Sequence, residues 1–502
     1  MTQSPNRTLL VGVSALTLTL AACGGGGGGS APDQPVVTPP PPPPPATSEV
    51  DVTVQGPIQG FGSVIVNGVR YNTDDATVVI DGETKSLDDL SVGQIVALRA
   101  TRKDGDDLPT ALRVRYEEAL EGIVDAVSAD GSEIEILGIT IIVTEDTIFE
   151  EDLDPATIAV GDRLEVSGSF AREDQLVASY IEEGDNEDSD YEIHGTVGAL
   201  DTDAQTFRVR GVKVSYANAT LEDFEDGKEL ANGDKVEVEG STFTNDGTLI
   251  AAVVEYEGDD FEEFEGEDGD EAEIEGFVNG FVSDTEFFVG DIAVTTNADT
   301  EYERGTSADL ADGVRIEVEG EFNADGILVA DEIEFELEAN IRVTAEVDAV
   351  DLDAGTLTVL GLVFTEDART KYQDKGRDRV RQFGLDDIAV GDYVSVRAYE
   401  LTDGTLLLKR VERDNEDADE GVELRGFVDE NSETAFIVQG VEILTDEETE
   451  YEYASEDTTA DTFFERVMVG DQVKIEGVET EDGLVLASEI DALVSEDEGD
   501  DD

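Results

Sequence analysis

The 502-residue sequence holds one cysteine, one histidine and no tryptophan, and each shortage excludes something. A lone cysteine has no partner for an intrachain disulfide, so stability must come from packed cores, bound ions or both. One histidine, His194, and one cysteine cannot assemble an ordinary zinc site, a Ser-His-Asp triad or a Cys-His dyad. His194 lies on a strand beside Gly195 and reads as a strand-surface residue rather than a base or a ligand. Without tryptophan the usual platform for stacking sugar rings is missing. Paired carboxylates could act as in a glycosidase, but among 123 acidic residues neighbouring pairs are unavoidable and carry no signal. The chain therefore reads as a non-enzyme. Positive charge is scarce as well: 22 Arg and 9 Lys leave a net charge of −92. That balance excludes sequence-independent nucleic-acid binding, which needs Lys and Arg to neutralise phosphates. A lysine-poor acidic surface suits high salt, where the Debye length falls from about 10 Å at 0.1 M toward about 3 Å at 1 M. A marine or halophilic source is expected. No stretch reaches the roughly 18 consecutive apolar residues of a membrane-spanning helix.

The N-terminus carries a different signal. Arg7 precedes an apolar run from Leu9 to Leu20, which ends in Leu20-Ala21-Ala22-Cys23. This is the layout of a secretory signal covering residues 1–22. It also resembles the bacterial lipobox, and that resemblance implies cleavage before Cys23 and acylation of its side chain. Gly24, rather than Asp, follows the cysteine, which by resemblance to lipoprotein sorting implies the outer membrane, with the protein periplasmic or surface-exposed. Residues 23–50 combine six glycines with seven consecutive prolines. The glycines are flexible and the prolines stiff and extended, so the segment reads as a tether of about 50 to 80 Å.

The rest of the chain exceeds one core and repeats itself. Three landmarks recur in order. The first is an alternating strand with an early glycine: GFGSVIV at Gly60, EGIVDAV at Gly122, HGTVGAL at Gly195, EGFVNGF at Gly276 and RGFVDEN at Gly426. The second is a glycine between two β-rich runs, as in VNGVRY, ILGITI and VQGVEI. The third is a turn entering a strand, as in VGQIVAL, VGDRLEV and VGDYVSV, whose glycines lie 68, 72, 80, 78 and 79 residues apart along the chain. Six repeats follow, at 51–118, 119–184, 191–258, 272–338, 341–412 and 421–494, with an acidic tail at 495–502. Repeat 5 has Ala345 where others have the early glycine, so its first strand is expected to curl less sharply.

Each repeat closes with a turn and a last strand, as in NDGTLIAAVVE and EDGLVLASEID. The Asp-Gly pair favours positive φ and a tight hairpin. Val236 and Val238 point one way while Glu237 and Glu239 point the other, the mark of half-buried antiparallel strands. The order is three strands, a short helix or loop, then two strands. An all-β tandem array of six small OB-like five-stranded barrels is the expected fold class; small β-sandwiches are the alternative. The GFGSVIVNGVRY opening and the VGD-x-V-x-V strand resemble the bacterial lipoprotein repeat family known as domain of unknown function 5666, over about residues 55–494. The resemblance implies a small β-domain in secreted or lipid-anchored proteins and brings no activity with it.

Acidic runs lie between and after repeats, among them EEGDNEDSDYE at 182–192, EGDDFEEFEGEDGDEAE at 257–273 and ERDNEDADE at 412–420. They read either as self-repelling linkers that keep domains apart or as collectors of divalent cations. No EF-hand loop or GGxGxD repeat is present. No cofactor is expected beyond weak, multi-site calcium. One insert breaks the acidic rule: ARTKYQDKGRDRVRQ gathers Arg369, Lys371, Lys375, Arg377, Arg379 and Arg381. On a helix, Lys371, Lys375 and Arg379 would share a face. This patch is either paired with the chain's own acids or a dock for an anionic glycan, lipid phosphates or an acidic protein segment. Two functions stay open: a membrane-tethered envelope protein serving as stalk or interaction array, and a calcium-dependent binder of polysaccharide or protein.

Overall fold

A computed structural model describes residues 49–493, apart from 104–107, 151–152, 185–190, 225–227, 259–265, 267, 338, 377–379, 381, 402, 415–420, 433–434, 455 and 481–482. The signal, Cys23, the tether and the acidic tail lie outside the described residues, as do Arg377, Arg379 and Arg381.

Repeat 4 shows the common plan. Its first strand is Glu271–Ser283, its second Glu286–Val289, and its third Ile292–Thr295, resumed at Glu301–Glu303. A 3-10 turn at Ser307–Asp309 leads to the fourth strand, Arg315–Phe322, and the fifth, Leu328–Phe335. The first strand pairs antiparallel with both the second and the fourth, the second pairs with the third, and the fourth with the fifth. The third and fifth run parallel, which closes the ring. The order 1-2-3-5-4-1, with the helical turn between strands three and four, is the OB-type barrel. Repeat 6 keeps the same ring and has an α-helix, Ala460–Arg466, at that turn.

Local chemistry accounts for the ring. The glycine between strands two and three sits at positive φ in every repeat, for instance 77° at Gly68 and 74° at Gly138. The residue before it is also left-handed in five of them: Asn67, Leu137, Arg210, Leu360 and Gln439. Two consecutive positive φ values make a type I′ turn, whose twist matches that of the strands it joins. Each third-landmark glycine donates its N–H to a first-strand carbonyl, as Gly161 does to Val124 and Gly391 to Val347, tying the loop across the barrel end. In the first strand of repeat 1, the residue opposite Val96 is Gly56, matching Gly276 opposite Ile316, so Gly56 rather than Gly60 is the early glycine. Ala345 takes this place in repeat 5, opposite Val394, and that barrel closes as the others do.

The barrels associate through their first strands. The first strand of repeat 1, Glu49–Gly60, runs parallel to that of repeat 4, pairing Val52 with Glu271 and Val54 with Glu273. Repeats 2 and 3 join antiparallel through Glu121 and Glu192, and repeats 5 and 6 through Arg342 and Arg425. Repeats 2 and 3 share one apolar core, as do 5 and 6, whereas repeats 1 and 4 each keep their own. Sequence-distant repeats also touch: Lys409 of repeat 5 reaches Asp146 of repeat 2 at 2.7 Å. The six repeats form one compact unit, so the acidic stretches join barrels that are in contact. Small-angle scattering from residues 49–493 should give a radius of gyration near about 22 Å, the value for a compact body of that length. A much larger value would mean freely hinged barrels.

Candidate functional site

Outward-facing residues of neighbouring strands line up by register. In repeats 5 and 6 this brings cations together. Lys371 stands opposite Arg410, Arg410 opposite Arg397, and Arg397 opposite Arg342. Arg342 then faces Arg425, and Arg425 faces Lys474. Six positive side chains thus form one row across two barrels. Like charges directly opposite one another are destabilising, so the row needs anions. Some are at hand: Arg410 bonds Gln373 at 2.9 Å and pairs with Glu412, Arg342 lies 3.4 Å from Glu423, Arg425 pairs with Glu145 of repeat 2, and Lys474 holds Glu476 at 2.6 Å. The middle is undersupplied. The Nε and Nη1 of Arg397 are buried without a hydrogen-bond partner. Burial, with Arg410 and Arg342 alongside, pushes the pKa of Arg397 down.

The basic insert is not a helix where it is described. Lys371–Asp374 is a strand pairing parallel with the last strand of repeat 5, because Tyr372 packs against that repeat's core. Its cations part company. Lys371 ends the row just described, Lys375 pairs with Glu412 at 3.0 Å, and Arg369 crosses to repeat 4, where it holds Glu317 at 2.8 Å and also pairs with Glu334.

The outer face of repeat 4 is the converse. Glu271 faces Glu321, Glu273 faces Glu319 and Glu319 faces Glu332, while Glu275 faces Glu317 and Glu317 faces Glu334. Arg315 pairs with Glu275, Arg304 with Glu334 and Arg102 of repeat 1 with Glu271. Glu273 and Glu317 are 5% and 3% exposed, and one carboxylate oxygen of each has no hydrogen-bond partner. Burial, and Glu319 beside it, push the Glu273 carboxyl up to about 8; burial raises Glu317 to about 9 despite Arg369.

A third cluster surrounds His194. Its Nδ1 lies 3.2 Å from Glu257 and 4.0 Å from Glu117; its Nε2 lies 3.1 Å from Glu192 and 3.7 Å from Glu118. Arg115 of repeat 1 closes the ring on Glu257 at 3.2 Å and also pairs with Glu117. The group borders a cavity of about 460 Å³ lined by residues of repeats 1 to 4. Burial would lower the imidazole's pKa, but Glu257, Glu118 and Glu192 outweigh it and hold His194 protonated well above the usual range. His194 does point outward from its own barrel, as its strand position implies. Repeat 1 covers that face, so its side chain is only 11% exposed.

Family models match the description "Domain of unknown function (DUF5666)" at residues 53–115, 121–182, 194–255, 275–334, 344–412 and 425–491. The chain belongs to this family. No curated protein matches it. A solved structure titled "drosophila Unr CSD456" is 14% identical, over 44% of this chain and 95% of that one, with a TM-score of 0.11.

The DUF5666 landmarks locate each barrel, and the site residues lie between landmarks. Alternation marks Glu317, Glu319, Arg397 and Arg410 as outward-facing, but which of them a neighbouring barrel buries depends on long-range pairing. Arg342, Arg397, Arg410 and Arg425 were legible only as isolated arginines on strands. The matching register of successive VGD-x-V-x-V strands is the signal that could have aligned them.

The raised carboxyls set a pH dependence for this DUF5666 array. Folded Glu273 keeps its proton up to about pH 8, whereas an unperturbed glutamate loses it near 4.5, so folding takes up a proton between those values. Its contribution to stability falls as pH rises through that window. Without divalent ions, Glu273→Gln should melt with the parent near pH 4 and above it at pH 9; superimposable curves at pH 9 would contradict this. His194 has the same sign: its contribution is full below the ordinary imidazole pKa and is lost only as pH rises past its raised pKa. His194→Ala should therefore destabilise at pH 7 by about 3 kcal/mol or more, as for a broken buried ion pair, with denaturant unfolding as the measurement.

Proposed function

We propose that this chain is a non-enzymatic, lipid-anchored protein of the cell envelope, and that its barrels form an interaction body for an anionic glycan. The observation that carries this reading is the cation row from Lys371 to Lys474, with the half-buried Arg397, whose Nε and Nη1 have no hydrogen-bond partner, at its middle. In a chain of net charge −92, six aligned cations stand out against the general field. A carboxylate or sulfate lying across the exposed parts of Arg397 and Arg342 would supply the counter-charge the middle of the row is short of, and guanidinium groups favour such anions. An array used only as a stalk would string its barrels end to end, and contacts such as that between repeats 2 and 5 speak against that use. The tether and Cys23 would hold this body away from the outer membrane, and the acidic surface suits a salty exterior, where screening lets a polyanion approach.

Two measurements test the reading. Cys23→Ser should move the protein from the membrane fraction to the soluble fraction; unchanged membrane partition would remove the anchor. Binding to polygalacturonate in about 0.5 M NaCl, where charges are screened beyond a few ångströms, should weaken at least tenfold in Arg342→Gln with Arg397→Gln. Neutral dextran is the control. Equal binding by parent and variant would reject the row as the docking face.

A further inference from the structure

The glutamate face of repeat 4 carries more negative charge than its arginines neutralise. Eight glutamates stand in its three outward rows: Glu271, Glu273, Glu275, Glu317, Glu319, Glu321, Glu332 and Glu334. Among the described residues, the cations that form ion pairs with them are Arg102, Arg304, Arg315 and Arg369. The excess concentrates at the seam with repeat 1. There one oxygen from each of Glu273, Glu317 and Glu319 lies within 4.8 Å of the other two. Glu273 Oε1 and Glu317 Oε2 are the buried oxygens without a hydrogen-bond partner; the other oxygen of Glu317 is held by Arg369 at 2.8 Å. The Tyr71 hydroxyl of repeat 1, also buried and without a partner, lies in the field of the same three carboxylates. A cavity of about 190 Å³ adjoins them, lined by Glu273, Glu319, Glu271, Glu321 and Arg102 among others.

We propose that this seam is a calcium site, with Glu273, Glu317 and Glu319 as its protein ligands. Buried carboxylate oxygens left without donors are costly, and a proton or a cation must satisfy them. The donors are all oxygen, with no imidazole or thiolate among them, which selects a hard cation over zinc or copper. Calcium accepts six to eight oxygens in irregular geometry, and three carboxylates leave several positions for water from the adjoining cavity. Magnesium demands a near-ideal octahedron and gives up its water reluctantly, so it suits the half-buried trio less well. Glu273 and Glu319 stand opposite each other on adjacent strands of repeat 4, and Glu273 also pairs with Val54 of repeat 1. An ion here would tie repeat 1 to repeat 4 across the join that has no shared apolar core. This inference does not depend on the cation row or its glycan, and calcium is not needed for binding there.

The test uses the full-length chain in detergent. Equilibrium dialysis against calcium at pH 8 should show a site that Glu273→Gln with Glu319→Gln weakens at least tenfold. Melting should rise in CaCl₂ beyond NaCl of matched ionic strength, because a ligand that binds only the folded state stabilises it by mass action. That excess should disappear in the double variant. Glu319 is exposed, so Glu319→Gln alone should fold and, without calcium, melt no lower than the parent, and should lose most of the affinity. Glu447→Gln with Glu448→Gln, an exchange of two loop acids in repeat 6, should keep the full calcium response. Calcium binding that survives in the double variant, or a parent whose melting in CaCl₂ equals that in NaCl, would overturn the proposal.

Discussion

The structure depends on how like charges are placed across its β-ladders. Strands that alternate an apolar with a charged residue fill each barrel with valine, isoleucine and leucine, and give each barrel a charged outer wall. Because register aligns outward residues, the wall becomes rows of one sign: glutamates in repeat 4, arginines in repeat 5 and the start of repeat 6. Such rows disfavour an isolated barrel, since like charges face each other directly. They are relieved where a wall of the other sign, or an ion, comes to lie against them. Arg99 of repeat 1 meets Asp270, just before the first strand of repeat 4, at 2.8 Å, Arg210 of repeat 3 meets Asp291 of repeat 4 at 2.9 Å, and Arg369 spans repeats 5 and 4. Solvent-exposed pairs contribute about 0 to 1 kcal/mol each, and in more buried ones such as Arg369 with Glu317 desolvation offsets much of the attraction. Their main effect is selective, because each wall accepts only a neighbour of complementary pattern.

Two kinds of join result. Repeats 2 and 3, and repeats 5 and 6, combine a first-strand ladder with a common apolar core, so burial of hydrophobic side chains holds them together. Repeats 1 and 4 meet through four paired residues, Arg99 and Arg102, and the buried glutamates. That third join is mostly polar, and it responds to proton, salt and divalent ion where the other two respond chiefly to packing.

The barrel itself was legible from sequence because local rules fix it. The left-handed glycine between strands two and three, the VGD turn and the alternation around Glu237 and Glu317 each act within a few residues, and together they specify five strands and their order. What the neighbours do to an outward side chain was not legible. His194 occupies an outward strand position, but its environment comes from Glu117 and Arg115, about 80 residues earlier. The basic run at 369–381 stood out by composition and suggested a helical patch. Tyr372 anchors part of it as a strand, and the larger cation cluster is assembled from residues as far apart as Lys371 and Lys474, none remarkable alone. Acidic composition likewise drew attention to the run at 257–273, whose last residue is Glu273, while Glu317 and Glu319, which meet it, lie on a ladder strand more than 40 residues later.

The parallel pairing of repeat 1 with repeat 4 joins residues more than 200 positions apart, from Val52–Gln55 to Glu271–Ile274. During synthesis, the N-terminal barrel therefore emerges with an open strand edge, and repeats 2 and 3 must follow before its partner arrives. An exposed edge is a template for pairing with another chain, and closing so distant a contact is slow. The acidic walls of the intervening repeats keep nascent copies apart by mutual repulsion during that interval, so the same charge that strains the finished ladders protects the unfinished protein from aggregation.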